Sequence, residues 1–197
     1  MDGRAGNNNR ILSGQWRESL MSVRQSGRNI PFANVIFDAI GKDSGIAVVL
    51  TTAGKVFATP LQIDHPVIVN RIAIFIRTVT AGNVRVGIYR DMGNTPAGGA
   101  LIVESASTAA AAGSTCQEIA IADTYLDRGI YWLVVQSDTT TLELQRASSS
   151  FYSTGTLNGK TWANTGAYAA FENPQSSAIT ASQSVPTMAV KVTTNFG

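Results

Sequence analysis

The residues of this chain that could do chemistry are few and scattered. One histidine, His65, stands in Ile63-Asp64-His65-Pro66. An Asp–His neighbour pair suggests acid–base work, but successive side chains of an extended segment point to opposite faces. Pro66 also marks a strand entry. Glycosidic cleavage would need two carboxylates held roughly 5–10 Å apart. Asp91, Glu104, Glu118, Asp123, Asp127, Asp138 and Glu143 are available, but they fall at turns or on polar strand positions, where solvation or turn capping explains each. Asp123 and Asp127 around Thr124, or Asp91 with Asn94, could contribute to a calcium loop, yet neither has the dense carboxylate spacing of an EF-hand.

Cys116 is the sole cysteine, which excludes an internal disulfide and a cysteine-built zinc site. It opens a strand pattern in which Cys116, Glu118 and Ala120 face one way and Gln117, Ile119 and Ile121 the other. It reads as a small buried residue. Phosphate-cradling patterns such as Gly-x-x-x-x-Gly-Lys-Ser/Thr and Gly-x-Gly-x-x-Gly are absent from the sequence. The expectation is a protein that is not an enzyme, with no cofactor and no metal site.

The richest recognition chemistry lies in 148–177, where Phe151, Tyr152, Trp162, Tyr168 and Phe171 are mixed with Ser, Thr, Asn and Gly. That mixture is common in binding surfaces. Its rings could complete a core, bury against another subunit or stack on a sugar. Tyr152, Trp162 and Tyr168 are the candidate subunit or glycan contacts.

The elements that must position these residues follow from composition and period. The chain has 197 residues, 44% hydrophobic and 14% charged, against roughly 25% charged in ordinary soluble domains. Water-facing positions must therefore carry Ser, Thr, Asn, Gly and Ala, as in many β-rich proteins. A net charge of +2 is too small for nucleic-acid binding by bulk electrostatics. The apolar runs at 46–50 and 130–135 are far short of the roughly 20 residues that cross a bilayer. Residues 1–10 lack the apolar core of a signal peptide. A soluble, cytoplasmically made product with no membrane or specific nucleic-acid partner is expected.

Charge is uneven along the chain. Residues 1–28 hold five arginines against Asp2 and Glu18, a net of +3, and the remainder carries −1. Such asymmetry suggests a basic arm on a near-neutral body. Ser13 can cap a helix and Gly27 can end it. Between them Trp16, Leu20 and Val23 follow helical spacing, while Arg10, Arg17 and Arg24 recur every seventh residue on another face. A helix of about 13 residues is marginal alone in water, so its apolar stripe must pack on the chain's own body or on a neighbouring subunit. These six residues are the candidate subunit-interface set.

From residue 30 the helical period disappears. Residues 31–40 fit either a short helix or a strand. Strands are expected at 46–51, 55–59, 67–79, 83–90, 100–106, 116–122, 130–137, 140–146, 150–157, 160–163, 167–171 and 187–194. Val69, Arg71, Ala73, Phe75 and Arg77 alternate with Ile68, Ile72, Ile74 and Ile76. Val84, Val86 and Ile88 alternate with Arg85, Gly87 and Tyr89. Alternation implies antiparallel sheets with one buried and one wetter face. Asn158-Gly159, between Thr156-Leu157 and Thr161-Trp162, predicts a two-residue hairpin. Many short strands without intervening helices predict an all-β, antiparallel β-sandwich over residues 45–197, preceded by an arm with a short helix over 1–44.

Two segments carry a resemblance. Val69-Asn70-Arg71-Ile72-Ala73-Ile74 leads into Val84-Arg85-Val86-Gly87-Ile88-Tyr89-Arg90-Asp91 and Gly93-Asn94-Thr95-Pro96-Ala97-Gly98-Gly99-Ala100-Leu101. Later comes Tyr125-Leu126-Asp127-Arg128-Gly129-Ile130-Tyr131-Trp132-Leu133-Val134-Val135-Gln136-Ser137-Asp138. Together they resemble the jelly-roll-like β-sandwich domain of bacteriophage structural proteins, with its "VRVGIY-D-G-G-P-G-LL" hairpin and "L-x-x-G-x-YWL" strand. The resemblance covers roughly residues 60–197 and brings no catalytic motif. It implies a virion component of tail, fibre or capsid-decoration type that contacts other virion proteins and forms homo-oligomers. The competing expectation is a carbohydrate-binding β-sandwich module that recognises a surface glycan.

Overall fold

Alternating β-branched residues between glycine-containing turns give strands throughout the described part of the chain. The computed structural model describes residues 36–38, 47–49, 53–78, 81–113, 115–145, 159–163, 168–182 and 186–196. All of them fall within one unit, Phe32–Phe196. The candidate arm helix, and with it Arg10, Trp16, Arg17, Leu20, Val23 and Arg24, lies outside the described residues.

The described strands are β1 (Ile36–Asp38), β2 (Ala47–Val49), β3 (Lys55–Ile63), β4 (Val67–Thr78), β5 (Asn83–Arg90), β6 (Leu101–Glu104), β7 (Thr108–Ala109), β8 (Thr115–Leu126), β9 (Gly129–Ser137), β10 (Glu143–Gln145), β11 (Gly159–Ala163), β12 (Thr180–Ser182) and β13 (Met188–Asn195). Among the described residues they form two antiparallel sheets and no helix. In the first, β4 is flanked by β8 on one edge and by β13 and β10 on the other, with β1 on β13 and β2 on β10. The second runs β12-β11-β3-β9-β5-β6, with β7 also on β5. The ambiguous 31–40 stretch is therefore a strand at 36–38.

The facing sides of the two sheets share one apolar cluster. Ile72, Ile74, Ile76, Ile119, Val190 and Val192 come from the first sheet, and Phe57, Leu61, Val84, Val86, Ile88, Leu133 and Val135 from the second. Burial of side chains of this size contributes roughly 1.5–3 kcal/mol each, without metal or disulfide.

Two expectations about faces are corrected. First, the alternation in β4 is not continuous. Val67 and Val69 point inward, Asn70 and Arg71 are both half-exposed, and inward phase resumes at Ile72. The cause is a bulge on β4 itself: Lys191 pairs Arg71 and Val192 pairs Val69, so Asn70 is an extra residue against β13, and on the other edge Val69 pairs Thr124 while Arg71 pairs Ala120. An inserted residue swaps the faces of everything beyond it, which separates Ile68 from the isoleucines it was grouped with. Second, the second sheet has no wet face at its centre. From Tyr131 to Ser137 every residue of β9 is buried. Its outward Trp132 and Val134 join Val56, Ala58, Tyr89, Trp162 and Phe171 in a second cluster. The lid of that cluster comes partly from the segment read as strand 167–171. Residues 168–171 are irregular, and Phe171 packs inward at 5% exposure.

The Asn158-Gly159 hairpin is corrected as well. Gly159 is a strand residue paired with Ser182, and β11 has β12 on one edge and β3 on the other. Lys160 and Thr161 thus have both edges filled. Residues 150–157 lie outside the described residues.

Candidate functional site

The two resembling segments meet in space. β5 and β9 pair from Val84↔Ser137 to Arg90↔Tyr131, which sets Tyr89 beside Trp132. Both rings are fully buried. Gly87 has a steric reason to be glycine: a Cβ there would stand 3.2 Å from the Phe171 ring and 3.0 Å from the Val103 carbonyl oxygen. Gly99 follows the same logic, because its α-carbon lies against the Arg90 carbonyl and a side chain would overlap it.

Asp91 joins the segments. Its Oδ1 accepts from Trp132 Nε1 at 2.7 Å, and its Oδ2 accepts the Gly93 and Asn94 amides at 3.1 and 3.0 Å. Asn94, at φ 69°, takes the left-handed conformation that the turn needs. A carboxylate with three N–H donors is a structural clasp, so Asp91 has little left to give to calcium or to acid–base work.

Other carboxylates are similarly engaged. Asp138 accepts from the Asn83 amide at 2.6 Å and from Asn83 Nδ2 at 2.7 Å. Glu104 Oε2 accepts the Phe171 amide at 3.0 Å, tying the lid to β6. Glu172 accepts the amides of Ser176 and Ser177 and their hydroxyls. Glu118 forms ion pairs with Lys191 at 3.1 Å and Arg71 at 3.6 Å across the outer face of the first sheet. Asp64 Oδ1 accepts from Gln62 Nε2 at 2.8 Å in the turn that contains half-buried His65. Among the described residues no group of three His, Cys, Asp or Glu side chains gathers as metal ligands would.

The recognition aromatics have separate fates. Tyr152 lies outside the described residues. Trp162 is 3% exposed and meets Tyr89 edge-to-face, with ring centroids 5.9 Å apart. That corrects its reading as a glycan or subunit contact, since the ring is spent inside the second cluster. Half-buried Tyr168 shares a hydrogen bond of 2.7 Å with Ser107 Oγ and lies under the Arg85 guanidinium, 5.6 Å from its ring centroid. Burial pushes the Tyr168 hydroxyl above its ordinary pKa, against the Ser107 bond and the Arg85 charge. Tyr168 therefore staples the lid to β5.

Cys116 is exposed, not buried as expected, although it does share a face with Glu118 and Ala120. Partial burial and the Glu118 charge push its thiol pKa up, which disfavours the reactive thiolate.

Sequence reasoning passed over one concave feature. Where β5 ends and β9 begins, Arg90, Asp91, Arg128, Gly129, Ile130 and Tyr131 line an open cleft of about 370 Å³. Tyr131 donates its hydroxyl to the Asp127 carbonyl at 3.0 Å. Burial raises the pKa of that hydroxyl, while the bond to Asp127 and the Arg90 charge lower it. Arg90 and Arg128 are far apart in the chain, and only the antiparallel β5–β9 register brings them to one mouth. A sequence signal existed in Arg90, Asp91 and Arg128, charged residues inside the two resembling segments.

No protein-family model matches the chain, and no curated protein matches it. Among the described residues the chain is all-β, with two antiparallel sheets.

Proposed function

We propose that the chain is a non-enzymatic structural component of a bacteriophage particle, of tail or fibre type, with capsid decoration as the neighbouring option. Its body is a jelly-roll-like sandwich. Eight of the twelve connections between successive described strands pass from one sheet to the other, and β9 lies between β3 and β5, which supports that reading. The observation that carries the reading is the Asp91 clasp. The acid most prominent in the resembling hairpin spends its oxygens on Trp132, Gly93 and Asn94. A segment conserving shape in this way supports a building block better than a catalyst.

Residues 1–44 supply the address. Trp16, Leu20 and Val23 bury against a neighbouring subunit, and Arg10, Arg17 and Arg24 orient the contact against acidic partner surface. Repetition of parts in a particle favours symmetric homo-oligomers. The test is removal of residues 1–28 followed by assay of incorporation into particles. A folded protein that no longer incorporates supports the reading, and normal incorporation refutes it.

A further inference from the structure

Among the described residues Met92, Tyr125 and Phe196 are the large hydrophobic side chains left exposed, and two of them touch. Tyr125 and Phe196 are each 56% exposed, with ring centroids 6.0 Å apart. Both stand at one end of the first sheet, where Asn195 and Leu126 pair Val67 from either side. The Phe196 amide donates to the Pro66 carbonyl at 3.1 Å. Tyr125 pairs half-exposed Ile68 across the β4–β8 ladder. Two rings and an isoleucine grouped in water forgo the burial that aromatic side chains bring to an interface.

The patch has an acidic border. Asp123 and Asp127 stand two residues before and after Tyr125, and Asp64 two before Pro66. All three are exposed, against one exposed base, Arg128. Arg71 and Lys191, further along the same face, are engaged by Glu118. The leading segment has the complementary chemistry: a net +3 over residues 1–28, with Trp16, Leu20 and Val23 at one helical spacing and Arg10, Arg17 and Arg24 at another. Strand direction adds a third observation. Ile36 pairs Lys191 and Asp38 pairs Ala189, so β1 begins on the side of β13 that leads to Phe196.

We propose that this patch is the docking site for residues 10–24 of a second copy of the chain. Trp16, Leu20 and Val23 of one copy cover Tyr125, Phe196 and Ile68 of the next, and the arginines face Asp64, Asp123 and Asp127. Two copies that meet through this end exchange leading segments about a two-fold axis, which closes the contact. The inference rests on the reading of the arm as an assembly anchor and names the surface that the arm takes.

The test is the self-association constant of the full chain by sedimentation equilibrium. Tyr125→Ser and Phe196→Ser should each weaken association roughly tenfold or more, as loss of a central aromatic contact does. Asp123→Asn combined with Asp127→Asn should weaken it too and flatten its salt dependence. A second measurement reads the contact without altering the patch. Full chain carrying Leu20→p-benzoylphenylalanine is mixed in equal parts with isotope-labelled parent and irradiated. Cross-links from position 20 should land beside Tyr125 or Phe196 of the other copy. Cross-links elsewhere, or within one copy only, overturn the proposal. Association that is lost on removal of residues 1–28 but unchanged in both aromatic variants leaves the anchor reading standing and overturns this site. A full chain that does not associate overturns both.

Discussion

Tyr89 shows how one side chain ties sequence, packing and pH response together. Its ring is fully buried between Trp162 and Phe171, edge-to-face with both, and its hydroxyl donates to the Glu172 carbonyl. Burial, with Glu172 and Glu104 nearby, pushes its pKa well above the ordinary tyrosine range. The folded state therefore keeps a proton that the unfolded chain releases near pH 10. Stability is complete below that pH and falls as pH rises beyond it. Urea midpoints compared between pH 8 and pH 11 should show this loss, and Tyr89→Phe should flatten it while being less stable at pH 8. Asp91 supports a second expectation. Asp91→Ala strands the buried Trp132 N–H and two turn amides, at a cost of about 3 kcal/mol by urea unfolding. Glu118→Gln, on a solvated pair, should cost less than about 1 kcal/mol.

At the scale of elements, period-2 patterning made β5 and β9 legible. Val84, Val86 and Ile88 do face the shared core. The phase of β4 was not legible, because the bulge at Asn70 shows only in the pairing of β4 with β13 and β8 and not in the residues of β4 alone. Nor could alternation reveal what covers the far side of a strand. Tyr89 alternates with the apolar set of β5 and so read as the wetter face, and the lid that carries Phe171 and Tyr168 makes it core together with Trp132. The same aromatic, Ser-rich composition that suggested strand 167–171 and a recognition surface is that lid. Phe171→Ala should therefore cost about 3–5 kcal/mol in urea. It should also raise the binding of a hydrophobic dye, while Gly87→Ala, crowding Phe171 from below, should cost about 1–3 kcal/mol.

For the molecule as described, two sheets with a shared core and a second cluster over one of them make up the body. The end cleft was not legible beforehand because Arg90 and Arg128 meet only through strand pairing. What remains is the proposed division of labour between the β body and a basic leading segment that would join it to neighbouring subunits. Sedimentation of the full chain beside a chain lacking residues 1–28 measures that division directly. The full chain should sediment as a homo-oligomer and the shortened chain as a folded monomer. A monomeric full chain, or an oligomer that survives the truncation, would contradict it.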